Sequence, residues 1–388
     1  MKPAIRNRVL LVMSAIAVAA TLLGGFVTQA PNRLVSGVPI ALWQAAPPPL
    51  AGFVFATLAV FFVIAFAAPR RILHWIEAAL ALGLILITLS AASQAASALA
   101  RIGSAVSRTS LGAAFWILIA CAGLAMVDAL QRMKAGPAVK LYVAATAALA
   151  VALLIAAGDF GALSIAKEYA QQRAAFSAEL GRHIVLVVTA IGFALAIGIP
   201  LGIALARRPR SRGPAFAVLN LVQTIPSLAL FGLLIGPLSY LGAAVPALGA
   251  IGVNGIGFVP ASIALVLYSL LPVVRNTDTG IRGISPGIVE SAVGTGMTPR
   301  QILWKVELPL AAPVLLAGVR IVLVQAIGLA VVAALIGAGG LGTFVFQGLG
   351  QYATDLVLLG AVPTILMALT ADFLLRLATE ILSRGPRA

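Results

Sequence analysis

Charge is the scarcest commodity in this sequence. Only 10% of its 388 residues are charged, against 61% that are hydrophobic, and a water-soluble domain of this length needs a much larger charged surface. There is a single cysteine, Cys121, so no intrachain disulfide can form, and its place inside an apolar run speaks against redox or metal chemistry. The two histidines, His74 and His183, lie far apart without metal-ligand spacing, and structural or interfacial roles are expected for both. No metal site and no catalytic constellation is expected. No Gly-x-x-x-x-Gly-Lys-Ser/Thr segment occurs, so the chain has no phosphate-cradling loop of its own. Acidic residues number 11 against 26 basic ones, a net charge of +15. In a soluble chain that excess would suggest nucleic acid. Here it has another source, because basic residues collect in the short cytoplasmic loops of helical membrane proteins, and no nucleic-acid partner is expected.

What the sequence has instead is long apolar runs, each of the length needed to span a hydrocarbon core about 30 Å thick. They predict an all-α polytopic membrane protein of about ten transmembrane helices, over 9–27, 50–68, 74–94, 111–130, 140–158, 183–206, 214–236, 260–275, 312–336 and 356–378. The eighth is short and interrupted at Pro272. With both termini placed in the cytoplasm, alternation puts most loop charges inside, among them Lys2, Arg70, Arg71, Arg132, Arg207, Arg212, Arg300, Arg384 and Arg387, and leaves few outside, such as Arg33, Arg108 and Lys167. One missed span would reverse every later loop, so this asymmetry supports the whole count. The first span resembles a signal peptide, but Val27-Thr28-Gln29-Ala30 makes a poor cleavage site, and a retained anchor is expected.

The chain divides into three regions: residues 1–158 with five spans, an amphipathic connector over 159–182, and residues 183–388, which carry the distinctive motifs. In the first region Pro47-Pro48-Pro49 predicts an extended turn. In the third, a cytoplasmic loop over 276–310 holds the strongest pattern, Ser285 to Pro309. Ser285 before Pro286 suits an N-cap with proline at the first helical position. Thr298-Pro299-Arg300-Gln301 repeats that start and adds the glutamine of a capping box. Gly294 and Gly296 permit a bend between two short helices, and Pro309 is expected to disfavour helix at Leu308. Ile288, Ala292, Ile302 and Val306 give each helix an apolar face, which suggests a docking surface for another protein.

That loop resembles the signature of ABC importer permeases: Glu-Ala-Ala, three residues, Gly, nine residues, Ile, one residue, Leu-Pro. Glu290, Ser291, Ala292, Gly296, Val306, Leu308 and Pro309 fall in its register, with Ser291 and Val306 departing by small substitutions. The resemblance implies a coupling helix seated in a cleft of a cytoplasmic ATP-binding subunit and anchored by Glu290. The segments Val222 to Leu234, Leu267 to Thr277 and Ile336 to Gly342 are similar to permeases of glycine betaine, choline and carnitine importers. This implies a C-terminal five-helix type I importer core, like that of methionine permeases, in a bacterial cytoplasmic (inner) membrane. It also implies a second permease, the same or homologous, and an extracytoplasmic solute-binding protein. ATP-Mg would be bound by the partner ATPase, with no cofactor in this chain. The resemblance covers about residues 180–380; the long N-terminal half departs from the minimal permease.

Polar residues inside spans are candidates for a translocation path, because lipid disfavours them. They are Gln223, Thr224 and Ser227 beside Pro226, Tyr268 and Ser269 before Pro272, and Gln325; interhelical hydrogen bonding is the other role open to them. Arg320, in the ninth span, should snorkel or find a carboxylate, and Asp372 and Arg376 should pair along the last span. Gly337, Gly339, Gly340 and Gly342 satisfy a dinucleotide-binding spacing, but they come after a span rather than a strand. They are expected to form a tight turn near an outer gate. The C-terminal half has one tryptophan, Trp304, too few for an aromatic cage around a quaternary ammonium. The expected function is therefore a permease moving a small zwitterionic or quaternary-ammonium compatible solute inward. The alternatives are a permease for another amino-acid-like solute or an ion-coupled secondary transporter. The last needs paired carboxylates near the midplane, whereas Glu77, Asp128, Asp355 and Glu380 lie at or near span ends.

Overall fold

Long apolar runs punctuated by proline and glycine can satisfy their backbone in lipid only as helices, and helices dominate the computed structural model. It describes residues 5–33, 35–104 and 106–383; Lys2, Arg384 and Arg387 of the charge argument lie outside the described residues. The chain divides into two units, Met1–Gln171 and Gln172–Ala388. Nine helices among the described residues are long and apolar enough to cross a membrane. The first expected span is a shorter helix of 16 residues.

The first unit begins with α1 (Arg8–Leu23), whose N-terminus is capped by the Asn7 side chain accepting from the Leu10 N–H at 3.0 Å. The same Asn7 donates to Asp128 at 2.6 Å and accepts from Arg132 at 2.9 Å, while Arg132 Nε meets Asp128 at 2.7 Å. Strands β1 (Val27–Ala30) and β2 (Val38–Ile40) pair antiparallel, α2 (Leu42–Ala45) is a single turn, and α3 (Pro48–Phe66) comes after it. The triple proline is thus a helix start: Pro47 is extended, and Pro48 and Pro49 fill positions that lack an intrahelical donor. Next come α4 (Arg71–Ile102), β3 (Arg108–Leu111), α5 (Ala113–Arg132), α6 (Pro137–Ala156) and α7 (Ser164–Gln171). The sheet order is β2-β1-β3, with Val27 opposite both Ile40 and Leu111. Alanines 81, 91, 92 and 95 of α4 and 114, 122 and 125 of α5 are buried in the core, which is how membrane helices without large side chains approach closely. By contrast α6 buries none of its residues.

The second unit opens with α8 (Arg173–Arg207), so the expected 159–182 connector is divided between a 3-10 turn, α7 and the first turns of α8. It continues with α9 (Pro209–Thr224), α10 (Ser227–Ala244), α11 (Pro246–Ala250), α12 (Phe258–Arg282), α13 (Pro286–Gly294), α14 (Pro299–Ile302), α15 (Leu308–Val332), α16 (Gly342–Gly350) and α17 (Thr354–Ser383). The expected span over 214–236 is in fact broken, because Ile225 is extended before Pro226. The expected interruption at Pro272 is absent: α12 runs through it for 25 residues, so the segment between spans begins at 283. The core of this unit gathers around α8, α12 and α15, with Ala190, Ala261, Ala264, Leu265, Ala326 and Ala330 at its centre. α8 and α12 approach closely enough that a Cβ on Gly198 would lie 2.6 Å from Val273 Cγ1, and one on Gly202 would lie 2.5 Å from Thr277 Cβ.

Candidate functional site

Beyond Arg282 the chain leaves the bundle. Ser285 occupies the N-cap position of α13 and Pro286 its first turn, although the Ser285 hydroxyl makes no capping bond. α13 ends where Gly296 takes φ +78°, a left-handed conformation natural to glycine. There Met297 N–H bonds the Ala292 carbonyl at 3.2 Å and Gly296 N–H bonds Val293 at 2.9 Å, the paired bonds of a Schellman ending. This gives the glycine of the motif a physical reason. Ser291 donates to the Gly287 carbonyl at 2.7 Å, so its hydroxyl stays within its own helix. α14 starts with a capping box: Thr298 N–H meets Gln301 Oε1 at 2.8 Å and Gln301 N–H meets Thr298 Oγ1 at 3.4 Å.

The helix does not stop at Leu308. A π-helical turn, Leu303–Glu307, joins α14 to α15, with the Leu308 N–H reaching back to the Leu303 carbonyl. The wider turn accommodates Pro309, whose ring would press on the carbonyl four residues back in a regular helix. Ala292 and Ile302 are buried and Val306 half-buried, whereas Glu290, Ile288, Val293 and Trp304 are exposed. The segment therefore buries Ala292 and Ile302 and leaves the Glu290 carboxylate and several apolar side chains exposed.

The polar residues of the candidate path separate into pairs and singles. Pro272 has no N–H to give the Tyr268 carbonyl, and Gln223 Nε2 takes that carbonyl at 2.8 Å. The Tyr268 hydroxyl in turn donates to the Ile225 carbonyl, at the break between α9 and α10. Gln223 and Tyr268 thus repair each other's irregular backbone. Thr224 donates to Leu221 at 2.7 Å and Ser269 to Leu265 at 2.7 Å, each within its own helix. Ser227 and Gln325 are half-buried. Arg320 finds a carboxylate, Asp372, at 3.0 Å, and Asp372 also pairs with Arg376 at 2.7 Å.

The glycine run comes after a 3-10 turn, Ala333–Ile336, and no strand precedes it. Gly337, Gly339 and Gly340 all have φ between +76° and +86°. The Gly340 N–H donates to Glu179 Oε2 at 2.5 Å, and a Cβ on Gly339 would lie 2.8 Å from that oxygen. A Cβ on Gly342, the first residue of α16, would strike the Val331 carbonyl. Buried His183 contacts the Ile327 carbonyl through Nε2 at 3.1 Å. Glu179 and His183 were not singled out for this turn by sequence. Their signal was the four-residue spacing that sets both on one face of α8.

Comparison with known proteins agrees with these two units. Residues 6–166 match the family model described as the ABC transporter permease YehY, N-terminal domain. Residues 198–387 match the binding-protein-dependent transport system inner membrane component. The choline transport system permease protein OpuBB of Bacillus subtilis is 40% identical over 201 residues, 52% of this chain and 85% of that protein. The osmoprotectant import permease protein OsmW of Salmonella typhimurium is 41% identical over 207 residues, 53% of this chain and 91% of that one. A solved structure of the MetNI methionine ABC transporter covers 55% of this chain and 99% of its own, at 22% identity and a TM-score of 0.49. The chain belongs to the binding-protein-dependent transport permeases: it is a multi-pass, non-catalytic membrane subunit without a cofactor, partnered by an ABC ATPase that binds the ATP.

Proposed function

We propose that this permease imports a small zwitterionic or quaternary-ammonium compatible solute of the glycine betaine, choline and carnitine class. The observation that carries it is about 40% identity, over half of this chain, to permeases named for choline and for osmoprotectants. The missing aromatic cage fits this assignment if an extracytoplasmic binding protein selects the solute, so that the permease needs a passage rather than a tight site. Two permease subunits, identical or homologous, would dock on two ATPase subunits in a bacterial inner membrane, with segment 283–307 and both termini on the cytoplasmic side. Glu290 is the docking contact, on a segment whose Ile288, Val293 and Trp304 are also exposed. ATP binding would close the ATPases and open the permeases outward; hydrolysis would reset them. Gln223, Thr224, Ser227, Tyr268, Ser269 and Gln325 supply candidate wall groups for the path, and the Gly337–Gly342 turn a candidate outer gate.

The test is uptake by vesicles holding the full transporter and its binding protein. Uptake of labelled glycine betaine is expected to require ATP and to survive collapse of ion gradients; dependence on a gradient would overturn the assignment. Glu290→Ala is expected to loosen the ATPase subunit and uncouple hydrolysis from uptake. Full retention of both would remove Glu290 from the docking surface.

A further inference from the structure

The segment that docks is joined to the bundle at two roots, the end of α12 and the start of α15. Each root carries a carboxylate, and both carboxylates meet arginines from one short stretch of another part of the chain, with Arg282 of α12 a more distant second partner for Asp278 at 3.9 Å. Asp278 is fully buried four residues before Arg282, where α12 ends, and its Oδ2 accepts from Arg212 Nε at 3.0 Å and Nη2 at 2.7 Å. Glu307, the last residue of the π turn, accepts from Arg207 Nη2 at 2.7 Å. Arg207 ends α8 and Arg212 lies in the first turns of α9, with Arg208 alone between the two helices and Pro209 fixing the entry into α9. Arg212 also sits 5.7 Å from the ring centre of Phe216, which holds its guanidinium against its own helix.

Three features make this corner more than a surface ion-pair cluster. Asp278 and Glu307 are largely removed from solvent while Arg207 and Arg212 reach them from half-exposed positions, so losing either arginine would leave a buried carboxylate without its main partner. The π turn inserts one extra residue, which rotates the chain beyond it by about 100° and so sets the phase of Glu307. Beside the corner, Gly202 lets α8 press on Thr277 and the Val274 carbonyl of α12, so the two helices meet backbone to backbone there.

We propose that Arg207 and Arg212 form a two-pin bracket that holds both roots of the coupling segment, Glu307 and Asp278, as positioning residues that carry movement of the docked segment into α8 and α12. This rests on the assignment of segment 283–307 as the ATPase-docking surface. Without the bracket the segment can still dock, but its movement is absorbed at its own roots.

The experiment uses the complete transporter in vesicles and reads ATP hydrolysed per solute imported, alongside co-purification of the ATPase subunit. Glu307→Gln and Asp278→Asn keep shape and remove charge. Each is expected to raise the ATP used per solute several-fold while the ATPase subunit stays bound, and Arg207→Glu with Glu307→Arg is expected to restore coupling. An unchanged ratio, loss of the ATPase subunit, or failure of the exchange to restore coupling overturns the proposal. If Glu290→Ala leaves docking intact while Glu307→Gln still uncouples, Glu290 is removed as the docking contact and the bracket stands; if deleting the exposed tip of the segment, Ile288 to Val293, leaves the ATPase subunit bound, the docking assignment itself fails.

Discussion

A proline costs a helix one donor, and the consequence depends on what lies across from it. At Pro272 the freed Tyr268 carbonyl is met by Gln223, and α12 continues. Gln223→Ala is expected to lower stability by about 1–3 kcal/mol, the range for a buried acceptor left unpaired. In a Pro272→Ala background, where the backbone N–H returns, the same change should cost much less. Thermal unfolding of the four variants measures that coupling directly. Gly296→Ala is a second test: nothing lies near enough to clash, so the loss should be only the roughly 1–2 kcal/mol of a left-handed alanine. The Thr298–Gln301 box and the glycine turn after α13 were legible in the sequence because capping is local chemistry. The partners of Pro272 and Pro226 were not, since two prolines with similar neighbours differ only in what another helix offers them.

At the scale of elements, the spans could be read because composition alone selects helices in lipid, while their ends could not. α12 outran its apolar core at both ends, reaching Arg282 through polar residues that pack inward, Thr277 and Asp278. The three strands escaped notice because each has only three or four residues, too short for alternation to register. The π turn left no sequence trace beyond Pro309. α6 makes the clearest prediction here: with none of its residues buried, its apolar side chains lie on the outside of its unit, where bilayer contact is expected. Leu149→Ala should be silent, while Leu149→Asp should impair insertion by about 2.5–3.5 kcal/mol on a membrane-insertion assay.

On the scale of the whole molecule, charge placement predicts sidedness. In membranes holding the permease without its ATPase subunit, a Ser291→Cys variant, with Cys121 buried, should react with an impermeant thiol reagent from the cytoplasmic face and not from outside; labelling in intact cells would reverse the topology. Ser291 is exposed, and its one bond is to its own helix, so the change should leave the fold intact. A change in motif density sets residues 183–388 apart in the sequence, but what the N-terminal unit adds is not legible there, because its residues point to packing rather than chemistry.

The length of α8 has a mechanical meaning. Its 35 residues make a rod of about 50 Å at 1.5 Å per residue. Glu179, near one end, holds the glycine turn, and Arg207, at the other, holds Glu307 at the root of the proposed coupling segment. If the rod tilts as one piece by about 5°, its far end swings by about 4 Å, more than the reach of any hydrogen bond holding the turn. A small rotation imposed at one end would therefore be enough to unfasten the other.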